Sequence, residues 1–146
     1  MIDTWLDFFQ LFEMETVDVE AILSKIFDKC VDNYGKFDCL IWTGATFNGR
    51  YGRIRNPFAR YANQPSFVRT HRLVYLLQHI EQHRDLTLPH VDAEGHNIDI
   101  SHVCHNKLCV RGQHLTMETH MANCSRRDCV QASRCVNPQH NPPCLV

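Results

Sequence analysis

The stretch DISHVCHNKLCVRGQHL, residues 99–115, puts three histidines, two cysteines, an asparagine and two cationic side chains into seventeen positions. Cys104, Cys109 and His114 recur at intervals of five. Each interval is long enough to fold back as a small loop, so three ligands from one segment can converge on a tetrahedral ion. A fourth ligand has to come from elsewhere, and Cys39, in the strand-like run FDCLIW, is the leading candidate. Three thiolates and one imidazole make a closed, structural zinc site. It would tie an early strand to a late loop across more than sixty residues.

The tail repeats the pattern. Cys129, Cys135, His140 and Cys144 supply three thiols and an imidazole within sixteen residues. The surrounding VQASRCVNPQHNPPCLV (residues 130–146) has three prolines and little apolar content, so it cannot order itself by burial. A second zinc would order it, because metal binding contributes folding free energy directly. Cys30 and Cys124 are left over, and Cys124 is an alternative to Cys129 as a ligand. Eight cysteines would equally make four disulfides in a secreted chain. The opening MIDTWLDFFQLFEMETVDVE is acidic and lacks a signal-like cleavage site, so the expectation is zinc in a reducing, intracellular compartment, with the nucleus among the options. No apolar run approaches the roughly 20 residues of a membrane span.

The net charge of −1 hides an asymmetry. Residues 1–38 hold nine acidic and three basic residues, and residues 39–146 hold seven acidic and twelve basic. An acidic attachment on a moderately basic body suits a polyanionic partner. The expected organisation is therefore a helical N-terminal extension over residues 1–38, packed on a domain over 39–146. Two apolar stripes in the extension have helical spacing: Trp5, Phe8, Phe9 and Phe12, then Val19, Ile22, Leu23, Ile26 and Phe27. Burial against the core explains them; a dimer surface is the alternative.

Downstream, Asn48-Gly49 marks a hairpin, and on the strand after it Arg53 and Arg55 share one face with Tyr51. That face would suit a nucleic-acid groove, or serve as a charged, solvated edge. Residues 68–86 and 114–129 have helical patterns, and IDISHV (98–103) is β-rich. The order of elements belongs to an α+β domain.

With zinc satisfied, His102 is not needed as a ligand. An imidazole at a strand end beside a rigid cage can take a proton from water; a histidine that only supports a zinc ligand from outside, or is simply solvated, is the plainer alternative. Asn123 falls in the last helical pattern, with His120 three residues before it and Arg126 and Arg127 three and four after. A carboxamide oxygen and guanidinium groups on one face would suit a hard cation and the phosphate it bridges. An exposed surface is the plainer alternative.

ISHVCHNKLCVRGQHL followed by HMANCSRRDC resembles the His-Cys box homing endonucleases, within the wider ββα-metal (His-Me finger) nucleases. The resemblance runs over roughly residues 39–144 and is clearest over 98–129; CLIW, YGR and THRLVY look like the family's upstream segment. It implies a ββα-metal core with small antiparallel sheets, flanking helices and two structural zinc sites, at Cys39, Cys104, Cys109 and His114 and at Cys129, Cys135, His140 and Cys144. It implies a Mg²⁺-dependent endonuclease acting on double-stranded DNA, with His102 as general base and Asn123 as the Mg²⁺ ligand. An upstream arginine would meet the scissile phosphate, with Arg60 the first match and Arg53 and Arg69 its rivals. Arg53, Arg55, Arg69, Arg126 and Arg127 would line the DNA surface. One departure is VRGQHL, where relatives usually show Asn-Pro before His-Leu. Another is the short stretch after Cys144, which shifts an expected homodimer to the N-terminal helices. The competing expectation is a zinc-stabilised nucleic-acid-binding or regulatory module of the same fold without turnover.

Overall fold

The computed structural model describes residues 19–60 and 64–146. The first expected helix, with Trp5, Phe8, Phe9 and Phe12, lies outside the described residues, and so does the dimer surface expected there. The second is present as α1, residues 19–27. Val19 and Ile26 are buried in the core, with Ile22, Leu23 and Phe27 packed against it, so this stripe is a core stripe.

After α1 the chain runs β1 (Cys30–Tyr34), β2 (Cys39–Trp42), β3 (Thr46–Phe47), β4 (Tyr51–Arg55), β5 (Phe67–Arg69) and α2 (Thr70–Gln78). Then come β6 (Ile98–His102), β7 (Leu115–Thr119) and α3 (His120–Ala132). The strands form three small antiparallel sheets, β1-β2, β3-β4-β5 and β6-β7. The β1–β2 hairpin has its turn at residues 35–38, so the expected division between 38 and 39 falls inside a paired unit.

The pattern over 114–129 is not one helix. Leu115–Thr119 pairs with β6 in register from Ile98↔Thr119 to His102↔Leu115. Helix begins only at His120, where the Thr119 side chain accepts a hydrogen bond from the Ala122 amide at 3.2 Å. A threonine N-cap is a strong start signal, and tertiary pairing with β6 claims the residues before it. Strand, strand and helix in sequence make β6-β7-α3 the ββα unit.

The core gathers Trp42, Phe58, Leu73, Val74, Leu77, Ile100 and Leu115 between the three sheets and α2. At Asn48 and Gly49, φ is 53° and 72°, as the hairpin at this dipeptide demands. Gly52 has a packing role: a Cβ there would lie 2.7 Å from the Trp42 ring and 2.8 Å from the Thr70 hydroxyl. The fold is mixed α+β, as the residue pattern leads one to expect. Among the described residues no helix is long and apolar enough to cross a membrane.

Candidate active site and metal centres

Strand β2 delivers Cys39, and the loop between β6 and β7 delivers the other three ligands of the first cluster. That loop is pinned to β2 like a further strand. The Trp42 amide donates to the Leu108 carbonyl at 2.9 Å, and the Val110 amide to the Leu40 carbonyl at 2.8 Å. Cys39, Cys104, Cys109 and His114 are all buried, with ligand atoms within 4.8 Å of one another. His114 Nδ1 lies 3.7 Å from Cys39 Sγ and 3.4 Å from Cys109 Sγ. Bond lengths of about 2.3 Å to sulfur and about 2.0 Å to nitrogen give a tetrahedral S–N edge of roughly 3.5 Å, so the donor set has the size of a zinc ion. The eight cysteines are free thiols, and the disulfide alternative is not taken up.

The tail forms the second cluster from Cys129, Cys135, His140 and Cys144. The Cys129–Cys135 sulfur separation is 3.8 Å, and His140 Nδ1 lies 3.4, 3.5 and 3.8 Å from the three sulfurs. The Cys144 amide, pointing at Cys135 Sγ, leads the contacts that pull that thiol down to about 6, toward the thiolate that zinc requires. Ser125 Oγ lies 2.7 Å from His140 Nε2 and donates to the Ala122 carbonyl. It therefore accepts the Nε2–H and leaves Nδ1 as the metal-facing nitrogen. Cys124 is not a ligand here; it pairs with His120.

Arg126 corrects an expectation. The family resemblance places it on the DNA surface, but its side chain is 1 % exposed. Nε and Nη2 donate to the two carboxylate oxygens of Glu118 at 2.7 and 2.8 Å, and Nη1 donates to the Pro142 carbonyl and to Cys144 Sγ at 3.2 Å. Its charge is used to fasten the tail cluster to β7. Arg127, one residue on, is exposed.

His102 closes β6 and belongs to neither cluster. It is buried, with Nε2 3.0 Å from the Cys109 carbonyl oxygen. A carbonyl only accepts, so Nε2 carries the proton and Nδ1 keeps its lone pair. Burial pushes its pKa down to about 4, against the Cys109 carbonyl, which favours the charged form. The ring sits 4.4 Å, centre to centre, from His71 and 6.1 Å from Tyr51, and Tyr51 and His71 stack at 5.2 Å. His71 is held in turn by Nε2–H donation to the Ile100 carbonyl at 3.2 Å.

Asn123, on the first turn of α3, donates from Nδ2 to Asp99 Oδ2 at 2.8 Å, and His120 Nδ1 lies 2.6 Å from the same oxygen. Burial alone would raise the Asp99 carboxyl, but these hydrogen bonds outweigh it and hold it below the usual range. The Asn123 Oδ1 is thereby the carboxamide atom left for another partner. An amide oxygen beside a carboxylate is a hard-oxygen environment, the kind that Mg²⁺ selects.

The arginines sort by position. Arg53 and Arg69 are opposite each other across β4 and β5. Arg53 and Arg55 lie over the Phe67 ring at 5.0 and 5.8 Å, and Arg69 lies over Tyr51 at 4.4 Å. Arg69 is thus one ring removed from His102. Arg60 is exposed at the end of the turn at 57–60, whose Phe58 is buried in the core, just before residues outside the described set. A groove of about 680 Å³ runs past Arg69, Arg72, His90 and Asp99.

A family model described as the zinc-binding loop region of homing endonuclease matches residues 48–146. The chain belongs to that family. No curated protein and no solved structure matches it. The homing-endonuclease zinc-loop match covers seven of the eight ligands in the two clusters; the eighth, Cys39, lies upstream of it and is brought in by β2. Residue patterns missed Asp99 and His71, and placed Tyr51 on the arginine-bearing strand without linking it to His102. The strand period sets Asp99 on the face opposite His102, so spacing gave no signal for it; nothing in the sequence marked His71 or Tyr51 as neighbours of that imidazole.

Proposed function

We propose that this protein is a metal-dependent endonuclease that hydrolyses phosphodiester bonds in double-stranded DNA, with His102 as general base and Mg²⁺ held at Asn123. The observation that carries the reading is the tautomer of His102. A backbone carbonyl takes its Nε2–H, leaving Nδ1 as a buried, oriented proton acceptor that no zinc cluster uses. In the reaction, Nδ1 accepts a proton from the attacking water, and the Cys109 carbonyl stabilises the imidazolium that results. Mg²⁺ would neutralise charge on the phosphate and on the leaving oxygen. Arg69, over the Tyr51 ring that stacks toward His102, is better supported than Arg60 as the arginine at the scissile phosphate. Arg53 and Arg55 would contact flanking phosphates from β4, and Arg127 from α3.

Supercoiled plasmid tests this directly. Purified protein with both zinc ions should nick or cut it in Mg²⁺. His102→Ala should lower the rate about 10²–10⁴-fold, the typical contribution of a positioned base, with two zinc ions still counted per chain. Equal cleavage by the two proteins, at equal zinc content, would refute the assigned base.

A further inference from the structure

Asp99 belongs to a hydrogen-bonded chain of four side chains and has no assigned role in the proposed reaction. Cys124 Sγ lies 3.3 Å from His120 Nε2, His120 Nδ1 lies 2.6 Å from Asp99 Oδ2, and Asn123 Nδ2 donates to the same Oδ2 at 2.8 Å. The directions are fixed by chemistry. A carboxylate only accepts, so His120 offers Nδ1–H, and with a neutral ring its Nε2 accepts the Cys124 thiol hydrogen.

The two ends of a carboxamide are nearly the same size, yet only the oxygen can ligate a cation. Before a cation binds, an Asn123 side chain without its Asp99 partner would lose little by turning its NH₂ group outward. Asp99 removes that freedom, because the turned carboxamide would set oxygen against oxygen. We propose that Asp99 is the positioning residue for Asn123: by accepting its Nδ2–H it holds Oδ1 toward the cation, and His120 keeps Asp99 in place. This rests on Asn123 being the cation ligand. Asp99 comes from β6 and Asn123 from α3, so the contact also sets the helix against the strand that ends in His102. Outer partners of this kind change metal affinity about 10–100-fold.

The test uses the full chain, loaded with zinc and carrying His102→Ala so that DNA stays intact. Mn²⁺ is titrated into its complex with a DNA duplex and followed by electron paramagnetic resonance. Asp99→Leu, of similar size and with no acceptor, should raise the half-saturating Mn²⁺ concentration at least about tenfold. Asp99→Asn keeps an acceptor oxygen where Oδ2 stood and should stay within about threefold of the parent, as a hydrogen-bond acceptor role requires. A mere structural contribution would appear in the melting temperature of Asp99→Leu and leave the Mn²⁺ titration unmoved. The inference is overturned if Asp99→Leu binds Mn²⁺ like the parent. It is equally overturned if Asp99→Asn is as weak as Asp99→Leu, since carboxylate charge, and not carboxamide orientation, would then be what matters. Asn123→Ala is the reference: if Mn²⁺ binding ignores it, the ligand reading fails and this inference falls with it, whereas sensitivity to Asn123 without sensitivity to Asp99 sinks the inference alone.

Discussion

Replacing Arg126 with methionine separates two roles that its sequence position allows. A phosphate-binding arginine on α3 could be lost with little effect on the fold, and each lost phosphate contact lowers the salt slope of DNA binding by roughly one. The structure gives another outcome. The guanidinium is 1 % exposed, pairs through two nitrogens with a Glu118 side chain that is itself only 13 % exposed, and donates to Cys144 Sγ. Removing one partner of a buried pair leaves an uncompensated charge and costs about 3–5 kcal/mol. At roughly 3 °C per kcal/mol for a domain of this size, the midpoint should fall by about 10 °C. The damage should centre on the tail, because Arg126 bridges β7 to Pro142 and Cys144. Zinc counting by mass spectrometry during chelator titration should show the second ion released at lower chelator concentration than in the parent, with the first unchanged. Glu118→Gln should move both readouts in the same direction. The reasoning is refuted if Arg126→Met keeps its melting temperature and both zinc affinities while DNA binding loses one unit of salt slope.

Three further outcomes follow from the packing. Ser125→Ala removes the acceptor for His140 Nε2–H and should weaken the second zinc site about 10–100-fold, read by competition with a chromophoric chelator. Gly52→Ala should cost about 1–3 kcal/mol as overpacking against Trp42 and Thr70, visible as a lower denaturant midpoint with an unchanged slope. Stripping zinc should make residues 133–146 the first site of proteolysis, because that segment has no helix or strand and depends on its cluster for order; protection of the zinc-free tail would contradict this.

Much of the candidate site was legible in the residues because metal ligands announce themselves. Thiols and imidazoles are few, their spacing is local, and a proline-rich tail with four of them has little alternative route to order. That logic named both clusters, including Cys39 from far upstream. It did less well where chemistry depends on which way a helix faces. His120, Asn123, Arg126 and Arg127 share a helical spacing that suggested one functional face. In the structure Asn123 and His120 turn to Asp99, Arg126 turns inward to Glu118, and Arg127 stays exposed. Helical periodicity gives angles between residues but not the direction of the core, and α3 buries only Arg126 and Cys129, so no apolar stripe marked its inner side.

The helix boundary failed for a related reason. Leu115–Thr119 has apolar residues at positions compatible with either period, and the choice fell to its partner β6, whose pairing satisfies backbone groups a helix would have satisfied internally. The amino-acid sequence by itself marked two groups of metal ligands, the Asn-Gly hairpin, the apolar stripe of α1 and the spare histidine at 102, and left Cys124 or Cys129 and core or dimer surface for the structure to decide. Only the tertiary structure decided which nitrogen of His102 is free, that Asp99 holds Asn123, and that Arg126 is a buried brace. Those facts depend on atoms brought together from positions 7, 24 and 8 to 18 residues apart, and packing, not spacing, sets which of them meet.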